Sequence, residues 1–414
     1  MIAALEGLDV AATTWLAARD PALVHLPEAL TAMEPSSTLH DVQWTPGQSC
    51  RLAFRMDVEG AEGATFVAVD LDATSWSRHD FRGDRSLPGL SAASDPAQVV
   101  QRLTSLVDEP IQDCRVRPVR YRPGARCVLR YDVRTPSGSA GYYAKVFPKS
   151  VYPDAAGRAA RVAAAARSAR VQVISVVAQW PEFSATVAKA AQGRSASAMM
   201  RDASVSVQSR IDLADRLGGL LAEFHTLSGV SVPRRTASGH LRTVTDLIPA
   251  VAAMDAELAD RLRRLLVRLG RHLPRPDGPQ VLIHGAFRLG QVVVDAGGSG
   301  HLLDLDGASH GAAAQDLGNA LSHLAWQAIR QPSQEVELEL IGDALVAGYE
   351  SSGTGVDSES LAWWQAAAAA QIVGRRFRRL EIADWALVPA LMDVAESRLD
   401  GSAARRIASL DDAD

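Results

Sequence analysis

Apolar and polar positions alternate in two stretches of this chain that repeat one another. VQWTPGQSCRLAFRMDV, from Val42, aligns with VRYRPGARCVLRYDVRT, from Val119, at a constant offset of 77 residues. Valine, Pro-Gly, cysteine and leucine coincide, and Trp44 and Phe54 stand where the second copy has Tyr121 and Tyr131. Aromatic and apolar residues alternate with arginine on both sides of each Pro-Gly, the period-two pattern of two strands joined by a tight turn. Two readings stand: a chance likeness of two hairpins, or a duplicated, two-part sheet. The second copy runs on into GYYAKVF at residues 141–147, a strand carrying Lys145, and the constant offset puts Ala68 at that place in the first copy.

Other periods mark other elements. Residues 1–40 read as one or two short helices with Pro21, Pro27 and Pro35 as breakers. Residues 71–115 are polar and irregular, with one helix from Pro96 to Val107. Asp154 caps a helix that runs to about Ser168, and residues 171–190 give two strands around Trp180-Pro181. Gln192-Gly193 then reads as a hinge. Apolar residues at Val207, Ile211, Ala214, Leu217, Leu221 and Phe224 predict an amphipathic helix ending at His225, read as a packing or capping residue. An arginine-rich helical region follows at 242–273, and residues 319–330, 335–350 and 359–400 are helical.

Between them lies VLIHGAFRLGQVVVDAGGSGHLLDLDGASHGAAAQDLGN, from Val281 to Asn319. A short apolar strand enters His284-Gly285. A polar loop leads to the strand Val292–Val294, and Asp295 with three nearby glycines makes a tight turn. Leu302-Leu303 then delivers Asp304 and Asp306. This sequence of strands and loops gathers polar side chains on a rigid floor.

Composition narrows the function classes. With 414 residues, 47% hydrophobic and 22% charged, the chain is long enough for two lobes with a large core. A formal net charge of −5 gives no field favouring nucleic acid or an anionic membrane. The first twenty residues lack a basic region ahead of their apolar part, and the apolar run from Leu361 to Val373 is too short to span a bilayer, so neither signal peptide nor membrane anchor is expected. Three cysteines without metal-ligand spacing suit a reducing cytoplasm. Arg375, Arg376, Arg378 and Arg379 read as a solvated helix face. Only three of the 43 basic residues, Lys145, Lys149 and Lys189, are lysine. A lysine within an apolar strand needs an anion for its head, and arginine does not replace that compact ammonium at a tight phosphate site.

The stretch from Val281 resembles the aminoglycoside phosphotransferase and choline kinase-like family, which has a protein-kinase-like fold. That family carries an HGD-x-x-x-x-N catalytic loop, an acidic metal-binding motif and an aspartate ahead of a helix. His284, Gly285, Asp304, Asp306 and Asp316 match; Ala286 stands where the family has its catalytic aspartate, and Gln291 where it has a metal-binding asparagine. The resemblance covers roughly residues 117–400.

What the resemblance implies is an α+β, two-lobed fold with a mainly antiparallel β N-lobe and a helical C-lobe. Residues 1–115 form an N-terminal extension with the first hairpin, 116–190 the kinase-like N-lobe, and 191–414 the helical C-lobe. The implied cofactors are ATP and Mg²⁺. Lys145 and the turn at Pro123 and Gly124 meet the nucleotide phosphates, while Asp304 and Gln291 hold the metal. Arg288 stabilises charge on the transferred phosphate, and Asp306 serves as a second ligand or handles the acceptor's proton. His284 and Asp316 support the loop. The glutamate that such folds take from the helix after the lysine strand is missing.

Two functions remain open. One is an ATP-dependent phosphotransferase acting on a hydroxyl of a small molecule or peptide side chain, through an atypical site. The other is a pseudokinase, a nucleotide-binding or scaffolding partner of another enzyme, motivated by Ala286 and the absent glutamate.

Overall fold

Both Pro-Gly sequences fold as the pattern predicts. In the computed structural model, which describes residues 10–34, 36–57, 64–274, 280–353 and 355–411, helices α1 (Val10–Ala17) and α2 (Leu26–Thr31) precede strands β1 (Thr38–Thr45) and β2 (Ser49–Asp57). Pro21 and Pro27 begin helical turns rather than break them, because a proline lacks the N–H that the first turn leaves unused. Strands β3 (Ala64–Asp72) and β4 (Trp76–Asp80) complete a four-stranded antiparallel meander, β1-β2-β3-β4. Helices α3 (Leu90–Ala93) and α4 (Pro96–Leu103) lead to the second copy. Strand β4 breaks the expectation of an irregular stretch there. WSRHD has no apolar alternation because it is an outer strand with no buried position, so nothing in its pattern marked it.

The second copy begins a five-stranded sheet. Strands β5 (Asp113–Arg122), β6 (Arg126–Thr135) and β7 (Gly138–Val146) form a meander, and β8 (Val176–Trp180) and β9 (Ala185–Lys189) extend it in the order β5-β6-β7-β9-β8. The two turns share one geometry: Gln48 and Ala125 donate N–H bonds to the carbonyls of Thr45 and Arg122, both at 3.0 Å. Gly47 and Gly124, at φ 69° and 72°, follow prolines, which makes each a type II turn that needs glycine at its third position. Thr45 pairs with Ser49 as Arg122 pairs with Arg126, the same register 77 residues apart.

The return strands shift that register. The paired residues Asp57 and Ala64 enclose six residues; their counterparts Arg134 and Ser139 enclose four. Lys145 therefore pairs with Val128 where Asp70 pairs with Arg51. The first copy's residue at the lysine's place is Asp70, not Ala68, because the connection is two residues longer.

Trp44, Phe54, Tyr121 and Tyr131 are all fully buried. Residues from both copies, among them Ala53, Phe66, Tyr121, Leu129, Tyr131, Trp180 and Val187, belong to one hydrophobic core.

Helix α5 (Tyr152–Ala169) has Asp154 in its first turn. By its internal contacts the chain forms two units: one holds residues to Gly157 with 175–190 and 376–383, the other 158–174, 191–375 and 384 onward. The second is mainly helical, with α6 (Ala196–Arg201), α7 (Val207–His225), α8 (Ala237–Thr245), α9 (Ile248–Met254), α10 (Ala256–Arg271), α11 (Ala313–Arg330), α12 (Glu335–Glu350), most of α13 (Ser358–Arg378), the end of α14 (Ile382–Trp385) and α15 (Val388–Asp411). It carries two small antiparallel sheets, β10 (Arg194–Ser195) with β12 (Val292–Val294) and β13 (Gly300–Leu302), and β11 (Gln280–Ile283) with β14 (Ser309–Ala312). The predicted apolar positions of α7 are buried at Ala214, Leu217, Leu221 and Phe224, in a core shared with Leu282, Phe287, Val292, Leu317 and Leu345. The arginines at the end of α13 are only partly a solvated face: Arg375 and Arg378 are exposed, but Arg376 and Arg379 are half-buried and pair with Glu381.

Candidate functional site

The loop after β11 hangs from one carboxylate. Asp316, in the first turn of α11, is completely buried and accepts N–H bonds from His284 at 2.6 Å, Gly285 at 2.8 Å and Phe287 at 3.4 Å. His225, the last residue of α7, donates to the same carboxylate through Nε2 at 3.2 Å and accepts from the Tyr349 hydroxyl through Nδ1 at 2.8 Å. Burial alone would push the Asp316 carboxyl up; the hydrogen bonds it accepts from His225 and the His284 N–H hold it below the ordinary carboxylate value. Burial, and then the Asp316 charge, pushes the Tyr349 hydroxyl up to about 12. His225, read from sequence as a packing or capping residue, is thus a hydrogen-bonding member of this network.

His284 is fully buried, and its Nε2 donates to the Leu303 carbonyl at 2.6 Å, which ties the first loop to the residue just before Asp304. Asn319 fastens the other side of the loop by donating to the Phe287 carbonyl at 2.7 Å. Gly285 sits at φ 79°, and a Cβ there would fall 2.6 Å from the Gly307 carbonyl oxygen, so both conformation and space require glycine. Ala286, next along, is exposed, and Arg288 is extended and half-buried ahead of a 3-10 turn at Leu289–Gln291.

Gln291 and Asp304 are brought together. The Leu303 N–H donates to the Gln291 carbonyl at 2.9 Å, and the Gln291 side-chain amide donates to Asp304 Oδ2 at 3.3 Å. Asp304 holds a left-handed conformation, φ 65°, which turns its side chain at the end of β13 before the 3-10 turn Leu305–Gly307 that carries Asp306. A carboxylate and an amide in contact fit a hard divalent cation once the amide is turned to present its oxygen. Among the described residues no group of three or more His, Cys, Asp or Glu forms a metal cage.

In the other unit, Lys145 lies on β7, an interior strand of the five-stranded sheet, between Val128 and Thr186, and is half-buried. It is not an edge-strand lysine. Pro123 is buried, and the Gly124 N–H donates to Asp84 Oδ2 at 2.8 Å, beside the Tyr121 hydroxyl at 2.9 Å. Neither turn residue is left with a hydrogen-bond donor to offer a phosphate. Asp20 repeats the device by accepting the Gly47 N–H at 2.8 Å.

Two residues close to the loop escaped the sequence reading. Arg158, on α5 where the glutamate is missing, donates to the Asp306 carbonyl at 2.8 Å. Arg235 donates its main-chain N–H to the His310 carbonyl at 2.7 Å and its guanidinium to the Gly285 carbonyl at 2.5 Å. Nothing in their neighbourhoods distinguishes them in so arginine-rich a sequence.

Comparison with known proteins agrees with this architecture. The profile of the "Phosphotransferase enzyme family" (APH) matches residues 126–353. Spectinomycin phosphotransferase APH(9)-Ia, solved with ADP and spectinomycin, superposes with a TM-score of 0.50 at 11% identity, over 73% of this chain and 98% of that one. Amicoumacin kinase hAmiN, solved with AMP-PNP, Ca²⁺ and its ligand Ami, gives 0.51 at 13% identity, over 75% and 95%. At such identities the likeness is one of fold, and that fold is the two-lobed, α+β, protein-kinase-like one. No curated protein sequence matches the chain. The family profile nonetheless spans more than half of the sequence, and the chain belongs to the phosphotransferase enzyme family.

Proposed function

We propose that the protein is an ATP-dependent phosphotransferase acting on a hydroxyl of a small molecule, with an active site rebuilt around Ala286. The contact between Gln291 and Asp304, set beside a loop hung rigidly from Asp316, carries this reading. Phosphoryl transfer needs little covalent help; it needs charge neutralised and groups held in place. Mg²⁺ held there would supply positive charge to offset that of the phosphate oxygens. Asp304 and Gln291 hold it, Lys145 meets phosphate oxygens, Arg288 stabilises charge on the transferred group, and Asp306 lies two residues from the metal ligand to take the acceptor's proton. The fold relatives bound to ADP with spectinomycin and to AMP-PNP with Ami support a nucleotide and a small-molecule acceptor.

An alanine in place of a general base typically costs about 10²–10⁴ in rate, so turnover is expected to be slow. The exposed methyl of Ala286 favours a second reading, a pseudokinase that binds nucleotide or scaffolds another enzyme.

Thermal shift with MgATP and MgADP tests the nucleotide site. We expect stabilisation of the wild type that Lys145→Ala and Asp304→Ala each diminish. Phosphate transfer is then assayed over a panel of hydroxylated acceptors. Turnover no greater than that of Asp304→Ala, despite nucleotide binding, would leave the pseudokinase reading; absence of any shift would leave only the scaffold.

A further inference from the structure

Arg158 and Arg235 are not accounted for by nucleotide or metal. Each donates to a main-chain carbonyl, Asp306 and Gly285 respectively, and among the described residues neither makes an ion pair with a carboxylate. The Nε of Arg158 is buried without a hydrogen-bond partner. Other half-buried arginines of this chain are matched: Arg117 and Arg130 share Asp132, and Arg261 meets Glu396. Burial lowers the proton affinity of Arg235, Asp316 opposes that, and the nearby charge of Arg158 lowers it further. Asp316 is no partner for either guanidinium, since its oxygens already accept from His225 and the loop N–H groups.

The two side chains converge on one place. A Cβ on Gly285 would lie 2.6 Å from the Gly307 carbonyl oxygen and 2.9 Å from a guanidinium nitrogen of Arg235. Arg158 is anchored on Asp306, the neighbour of Gly307. Ala286, exposed, follows directly on Gly285. A carboxylate at position 286 would place a negative charge beside this pair; the methyl removes it. What is left is a pair of partly dehydrated guanidiniums with no carboxylate bonded to them, and burying a cation without a directly paired counterion is costly.

We propose that Arg158 and Arg235 form an acceptor subsite for an oxyanion, a phosphomonoester or carboxylate carried by the hydroxyl-bearing substrate. Guanidinium forks match both groups in geometry. Ala286 is then the change that admits such a substrate, since an aspartate there would repel it. The word "acceptor" rests on the phosphotransferase reading; the anion site itself does not.

Calorimetric titration of the full chain, without nucleotide, with glycerol 3-phosphate, glycerate and glycerol tests this. We expect at least one of the two anions to bind and glycerol not to. Arg158→Gln and Arg235→Gln should each weaken the anion by about tenfold or more. Arg263→Gln, at an exposed pair with Asp260, should not. Because the arginine variants also lose a contact to the loop, Ala286→Asp is the second arm: it keeps both arginines, alters an exposed position and should weaken the anion comparably. Wild type that binds neither anion, or anion binding that survives all three substitutions, overturns the subsite. Anion binding without ATP-dependent transfer keeps the subsite and ends the phosphotransferase reading; transfer confined to neutral acceptors does the reverse.

Discussion

The carboxylate of Asp84 accepts the Tyr121 hydroxyl, the Gly124 N–H and the Ser86 N–H, at 2.8 to 2.9 Å. Removing it leaves buried donors without partners, each costing on the order of 1–3 kcal/mol. Asp84→Ala is therefore expected to lower stability by about 3 kcal/mol, read from the urea midpoint, with Asp84→Asn losing less because its oxygen still accepts. A midpoint unchanged in Asp84→Ala would show that the turn holds itself. This clamp was within reach of the sequence: Asp20, Leu23 and Leu26 recur as Asp84, Leu87 and Leu90, and all four leucines are buried. It went unread because the spacing to the hairpin differs between the copies, so the constant offset of 77 does not reveal it. The arginines beside Ala286 were not legible at all. Their meaning lies in what they lack, a carboxylate partner, and a missing partner leaves no mark on a sequence.

Elements were legible where one face is buried and the other is not. The hairpins announce themselves by alternation around Pro-Gly, and α7 by its helical period. What alternation does not carry is which elements touch. Helices α7 and α12 cross at glycines: a Cβ on Gly218 would lie 2.1 Å from the Leu345 carbonyl oxygen, and one on Gly348 would lie 1.9 Å from that of Asp215. Gly348→Ala forces the helices apart, and overpacking of that kind costs typically about 1–3 kcal/mol and sometimes more. The Tyr349 hydroxyl that meets His225 is on the adjacent residue, so the same variant should disturb the support of the loop after β11. We expect both a lower melting temperature and weaker stabilisation by MgATP; a variant as stable as the wild type would mean that the crossing is not tight. Gln291 directly precedes β12 and Asp304 lies two residues beyond β13, so the antiparallel pairing of those strands draws the two side chains together.

For the whole molecule, stability against pH gathers the buried titratable groups into one curve. His240 is buried against Trp364, and burial pushes its pKa down to about 4, only partly offset by its hydrogen bond to the Ala367 carbonyl. The unfolded chain takes up that proton near pH 6.5 and the folded chain does not until about 4, so stability is full above about pH 6.5 and falls as pH drops between these values. The span corresponds to about 3 kcal/mol. Asp316 acts lower: with its carboxyl held below the ordinary value, its contribution is present above about pH 4 and is lost as pH falls through the folded value. On the alkaline side, burial raises the Cys114 thiol to about 11 and the Tyr349 hydroxyl to about 12, so the unfolded chain loses those protons first and stability declines above about pH 8.5. Urea unfolding across pH should thus give a plateau between about 6.5 and 8.5. His240→Gln should reduce the slope between pH 6.5 and 4, because glutamine binds no proton in either state, while leaving the share of His40, which burial also holds below its ordinary value, and the fall at lower pH. If the acid limb of His240→Gln keeps the wild-type slope in that window, some other group takes up the proton on unfolding, and the buried ring beside Trp364 is not what makes the fold acid-sensitive.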